Sequence, residues 1–224
     1  MLGLARTATA AALDEKATPE QVAELYMRAF VNRDMEAAVQ LNEYLKPFYD
    51  GHEAYRLADL RKFATNKPKE DEERAKSIAA DAPTAQRATL ERAFLNFFQG
   101  VDQAVVSAKC RTIGAKIGPD ERALRWNPER KSAKAATVEF QCKIPALDPA
   151  IAKSITEAVA AENSSKLLAA TEKFKVAMTK PAQWKTVSGS HTLMRDLANA
   201  KDRWNNPLTE GWVSAIVEGM PSLK

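Results

Sequence analysis

The chain has 224 residues, 45% hydrophobic and 28% charged, enough apolar material for a buried core under a polar surface. Its net charge of +4 arises from 33 basic and 29 acidic residues spread along the chain, so no polybasic tract marks a nucleic-acid binder. No apolar run approaches the roughly 20 residues that cross a bilayer, which sets aside a transmembrane reading.

Residues 1–17 read as a signal-peptide remnant or a disordered terminus, and residues 18–224 as a single globular domain. MLGLARTATAAA is small and nearly uncharged, and Ala8-Thr9-Ala10 and Ala10-Ala11-Ala12 fit the small-residue pattern before a signal-peptidase cut. No basic segment and no full apolar core precede it, so an export signal here is truncated. The expected location is periplasmic or secreted, with the cytoplasm as the alternative if these residues are no signal.

Thr18, Pro19 and Gln21 compose a capping box with proline at the first helical position. Val22, Leu25, Tyr26, Ala29 and Phe30 follow at helical spacing. Asn32, Arg33 and Asp34 interrupt the stripe, and Asp34 caps a second helix with Ala38, Leu41 and Leu45 on its buried side, ending before Pro47. The product is a helical hairpin with a very short joint.

Residues 18–47 resemble the opening of NTF2-like (SnoaL-like, cystatin-related) domains through Thr18, Pro19, Glu20, Tyr26, Phe30, Arg33, Asp34, Ala37 and Ala38. The resemblance implies a curved sheet framing a cone-shaped pocket. Enzymes of that family place an Asp-His or similar polar pair in the cone, and this chain offers no convincing equivalent.

Beyond the Asp50-Gly51 turn, Tyr55, Leu57, Leu60 and Phe63 suggest a third helix over 53–65. The charged stretch 66–76 then reads as a solvated loop or the exposed start of a helix. Thr84 caps a helix whose Leu90, Ala93, Phe94, Phe97, Phe98 and Val101 fill a core, or alternatively line an apolar ligand site. Strands follow near 103–113 and 134–145, so the expected fold is α+β, mostly helical with a small antiparallel sheet, and the NTF2-like cone as its alternative.

Cys110 and Cys142 both fall on the apolar phase of those strands. A disulfide forms if the strands are neighbours; a third strand at 123–126 between them would leave two reduced thiols. Asp148 and Pro149 open a further helix that breaks at Asn163-Ser164, and a second helix runs to Lys180. Residues 184–204 divide into a strand to about Ser188 and a helix capped by Ser190 bearing Leu193, Met194, Leu197 and Trp204. Trp212, Val213, Ile216 and Val217 indicate a short closing helix.

Candidate chemistry is sparse. The chain has two histidines. His191 in VSGSH lacks the nucleophile-elbow pattern, and Asp50, His52 and Glu53 lack the second histidine that would complete a metal site. The paired carboxylates at 70–73 lie in a charge run, and eight scattered glycines form no phosphate-cradling loop. No cofactor and no metal are expected, and the balance favours a non-enzyme.

The segment 122–134 reads as a plain solvated hairpin or as the best contact surface: Arg122, Arg125, Arg130, Lys131 and Lys134 surround Trp126, and arginine and tryptophan carry binding energy at protein interfaces. Asp120, Glu121 and Glu129 weaken its attraction for nucleic acid. The expected function is therefore a non-enzymatic, exported protein-binding module such as an immunity or inhibitor protein. The alternative is an NTF2-like pocket protein for a small apolar or carbohydrate-like ligand, with isomerase or hydrolase activity.

Overall fold

The computed structural model describes residues 13–206 and 211–218. The expected signal remnant at 1–12 and the turn at Pro207 lie outside them. Leu13 packs against the main core and Ala17 is buried within it, so ordered packing starts ahead of Thr18.

Helix α1 (Pro19–Tyr26) starts as its capping box requires: the Gln21 amide donates to Thr18 Oγ1 at 3.4 Å, and the Thr18 amide donates to Gln21 Oε1 at 2.9 Å. It runs directly into a π-helical turn (Met27–Val31), a departure the apolar spacing did not announce. Asp34 then caps α2 (Met35–Leu45) with one carboxylate oxygen, at 2.9 Å from the Glu36 amide and 3.1 Å from the Ala37 amide. Its other oxygen takes the Arg28 guanidinium. Burial pushes the Asp34 carboxyl up, but Arg28 and the two amides outweigh it and hold the group below the usual range.

Helix α3 (Leu57–Ala79) is a single helix of 23 residues, so the charged stretch 66–76 is helix interior. Asp71, Ala75 and Ala79 recur every four residues and make its buried stripe, while Phe63 is 48% exposed. The preceding Tyr55 stays outside the helix because buried Asn42 bonds both its amide, at 2.9 Å, and its carbonyl, at 2.7 Å. Helix α4 (Thr84–Val106) has Pro83 at its N-cap and absorbs residues expected to begin a strand. Asn32 stops it, donating to the carbonyls of Val106 at 2.9 Å and Ala108 at 2.7 Å.

Three antiparallel strands form one sheet in the order β1 (Lys109–Pro119), β2 (Ala133–Pro145), β3 (Trp184–Asp196). β3 extends through the segment where a helix capped by Ser190 was expected; its register runs unbroken from Pro145–Trp184 to Ala133–Asp196. Thirteen consecutive backbone pairings outweigh a helical spacing of Leu193, Met194 and Leu197. Residues 123–126 form no third strand between β1 and β2 but part of α5 (Glu121–Trp126), a short helix in their connection. Cys110 and Cys142 are therefore direct cross-strand partners, and they are disulfide-bonded.

Two apolar clusters hold the molecule. The first lies between the sheet and α1, the π turn and α2, where Tyr26, Met27, Leu41, Leu45, Val138, Phe140, Ile144 and Leu193 are each at most 2% exposed. The second joins α4 to α6 (Pro149–Ala160) and α7 (Ser164–Thr179) through Ala93, Ala104, Ile155, Ala158, Ala170, Phe174 and Met178. Helix α8 (Gly211–Glu218) returns to the first and buries Ile216.

Gly100 makes the α4–α7 approach possible, since a Cβ there would lie 2.5 and 2.7 Å from atoms of the Phe174 ring. Helix propensity favours Gly100→Ala by about 1 kcal/mol, whereas overpacking a core costs ~1–3 kcal/mol. The clash outweighs the propensity, so Gly100→Ala lowers the thermal midpoint; a rise would contradict this packing. Removing the disulfide by Cys110→Ala with Cys142→Ala reopens a sequence separation of 32 residues, a loss of ~3–4 kcal/mol in the chain-entropy model. A lower urea midpoint is expected, and an unchanged one contradicts a bond in the native protein.

Candidate functional site

The connection between β1 and β2 projects α5 from the end of the sheet. Asp120 fixes it: its amide donates to the Ala133 carbonyl at 3.0 Å, closing the hairpin, and its carboxylate accepts from the Arg122 and Ala123 amides, each at 3.0 Å. Six residues later the helix ends at Trp126, which is 90% exposed. Indole exposed to that degree contributes nothing to the core and loses the burial a tryptophan ordinarily obtains.

Arg122, Arg125, Arg130 and Lys131 are all exposed around it. Arg130 is tied to the scaffold through Asp196 at 2.9 Å, and Ser132 Oγ donates to the same carboxylate at 2.6 Å. The Ser132 and Arg130 contacts hold the Asp196 carboxyl below its ordinary range. Arg122, Arg125 and Lys131 make no ion pair among the described residues. The structure thus gathers these contact residues on one projecting turn, with Arg130 serving as its anchor.

A cleft of about 420 Å³ lies beside this turn, lined by Asp120, Glu121 and Arg122 and by Thr137, Ser190, Thr192 and Met194 of the sheet. His191 and Asn206 reach it from the β3 edge. Strand alternation sends Ser188 and Ser190 to the face opposite His191, so no Ser–His dyad forms. His191 Nε2 instead meets the Asn206 side-chain amide. His52 is exposed, and Asp50 engages Lys201 at 3.0 Å. No cluster of metal-ligating side chains occurs among the described residues.

Asn206 belongs to a polar seam that the residue pattern did not reveal. The Trp204 amide donates to Tyr44 Oη at 3.0 Å and the Asn206 amide to Tyr26 Oη at 2.9 Å. Tyr55 Oη lies 3.1 Å from both Tyr26 Oη and the Asn206 carbonyl. Burial pushes the Tyr44 and Tyr55 phenols up to about 12, and Tyr26 well above its ordinary value. Three neutral phenols are hydrogen-bonding posts, and none is a ready base near neutral pH. The rings of Tyr26 and Tyr44 are buried in the same cluster as Phe140 and Leu193, with Tyr55 packed against it.

A second cleft, of about 410 Å³, opens between α3, α4 and α8 and is walled by Phe30, Phe63, Phe97, Phe98, Val101 and Val213. Of the aromatic stripe on α4, Phe97 stacks on Phe174 at 5.3 Å and joins the core, while Phe98 turns to this cleft under the Arg74 guanidinium. No helix among the described residues is long and apolar enough to cross a membrane. Compared with known family models, curated proteins and solved structures, the chain matches none.

The raised phenols set an alkaline limit. Tyr44 holds its proton more tightly folded than unfolded, so its contribution is complete below pH 10.0, the unfolded value, and lost as pH rises through about 12. Stability falls across that window by ~1.4 kcal/mol per pH unit for each such phenol. Tyr44→Phe is less stable at neutral pH but has a flatter alkaline decline; urea midpoints between pH 9 and 12 parallel to those of the parent would contradict the assignment.

Proposed function

We propose that this chain is a non-enzymatic protein-binding module, exported to an oxidising compartment, that engages an acidic partner surface through the α5 turn. The observation that carries this is Trp126, 90% exposed at the end of a helix that Asp120 and the Asp196–Arg130 pair hold in place. An exposed indole on a fixed support is an anchor already paid for in conformational entropy, since little ordering is left for the moment of binding. Arg122, Arg125 and Lys131 are exposed around it and make no ion pair among the described residues, which gives the turn a positive rim for steering.

The cross-strand disulfide suits export, because such bonds persist outside the reducing cytosol. Several residues able to do acid–base chemistry have structural partners: His191 meets Asn206, and Asp120 and Asp34 cap helices. An inhibitor or immunity protein needs no reactive group of its own, so this class fits best. Favouring this reading over the isomerase or hydrolase alternative, apolar side chains such as Met27, Leu41, Val138 and Phe140 are buried between the helical hairpin and the sheet.

A photo-crosslinking residue placed at 126 tests the reading in extract of the native source. One protein is expected to crosslink in stoichiometric amount, and Arg122→Glu with Arg125→Glu abolishes it while leaving the thermal midpoint within a degree or so. Absence of any crosslinked protein, or capture indifferent to the charge reversal, contradicts it.

A further inference from the structure

We infer that the cleft between α3, α4 and α8 binds a small amphiphile carrying a single carboxylate, such as a medium-chain fatty acid. The site shares no lining residue with the cleft beside α5 and is independent of the protein-binding reading. Its walls are apolar: Phe30 from the π turn, Phe63 from α3, Phe97, Phe98 and Val101 from α4, and Val213 and Val217 from α8. Two of these remain open to water, Phe63 at 48% and Val217 at 43%. A concave opening of about 410 Å³ is within the range of small-molecule sites and exceeds a packing defect.

Charge decides the class of occupant. Five ionisable side chains line the cleft, and they sort by their partners. Arg33 pairs with Asp102 and Lys67 with Asp71, so both carboxylates are neutralised within the fold. Arg74 is left without an ion pair among the described residues, its guanidinium carbon 4.6 Å from the centre of the Phe98 ring. A guanidinium held over an aromatic face keeps its N–H edge free for an oxyanion. One cation without an ion pair among the described residues, beside an apolar wall, matches a single negative head on an apolar body. A neutral amphiphile would leave Arg74 unanswered, and a cationic one would be repelled.

Titration calorimetry with decanoate, decanol and decylamine reads this directly. Decanoate binds one-to-one, and Arg74→Gln weakens it by about tenfold, the scale of a lost charge-assisted bond. Decanol binds at least tenfold more weakly than decanoate and is indifferent to Arg74→Gln. Phe63→Ala, which removes a half-exposed ring lying 5.3 Å from the Arg33 guanidinium carbon, weakens both, with the thermal midpoint read alongside to separate lost binding from lost stability. Absence of saturable decanoate binding overturns the inference. So does decanol or decylamine binding as tightly as decanoate, or full decanoate affinity in Arg74→Gln.

Discussion

The folded chain depends on how it treats the backbone of residues 202–206. This segment lies against the free edge of β3, where Asn205 exchanges both backbone hydrogen bonds with Met194, at 2.9 and 3.0 Å. Its other edge faces the helices, which have no spare backbone to offer. The phenols of Tyr44 and Tyr26 accept the Trp204 and Asn206 amides, two residues apart, as a further strand would have done. A buried amide left unpaired there costs ~1–3 kcal/mol, so two tyrosines on α1 and α2 allow the strap to enter the core without that penalty.

From that seam the rest of the arrangement follows. Trp204 is carried to 4% exposure between sheet and helices, and Asp202 is carried to 5%. Burial raises the Asp202 carboxyl, and the Asp196 and Arg203 amides that it accepts only partly compensate. Asn32 at the close of the π turn clamps the end of α4 to the start of β1, so the helical layer of α4, α6 and α7 is tied to the sheet by hydrogen bonds as well as by Val105. The two clusters share α4, and Gly100 is the point on it where a side chain would have forced α7 away.

Residue types that ordinarily announce chemistry are spent here on structure. Asp34, Asp120, Asp148 and Asn163 cap helices, Asn42 pins Tyr55, and His191 meets Asn206. Among the side chains that the described residues leave without an ion pair or a place in the core are Trp126 with Arg122, Arg125 and Lys131 on the α5 turn, while Arg74 lies over an aromatic cleft. Function is most economically sought where side chains contribute least to stability, and both places satisfy that condition.

The local signals were legible because their physics is local. The capping box at Thr18, the Asp34 and Asp148 caps, the Asn163 break and the apolar alternation of β2 each involve groups within a few residues of one another. Helical and alternating apolar spacings pointed to the α+β class with a small sheet, and residue type, arginine and lysine around a tryptophan, chose the turn around Trp126. The helical continuity of 66–76, the strand through His191 and Leu193, and the pairing of Cys110 with Cys142 depended on neighbours distant in the chain. A buried face at Asp71, Ala75 and Ala79 and an unbroken ladder against β2 overrode local preference there. Neither the tyrosine seam nor the cleft under Arg74 can be read from one segment, since a phenol becomes an amide's partner, and a guanidinium is left over, only when separate elements are brought together.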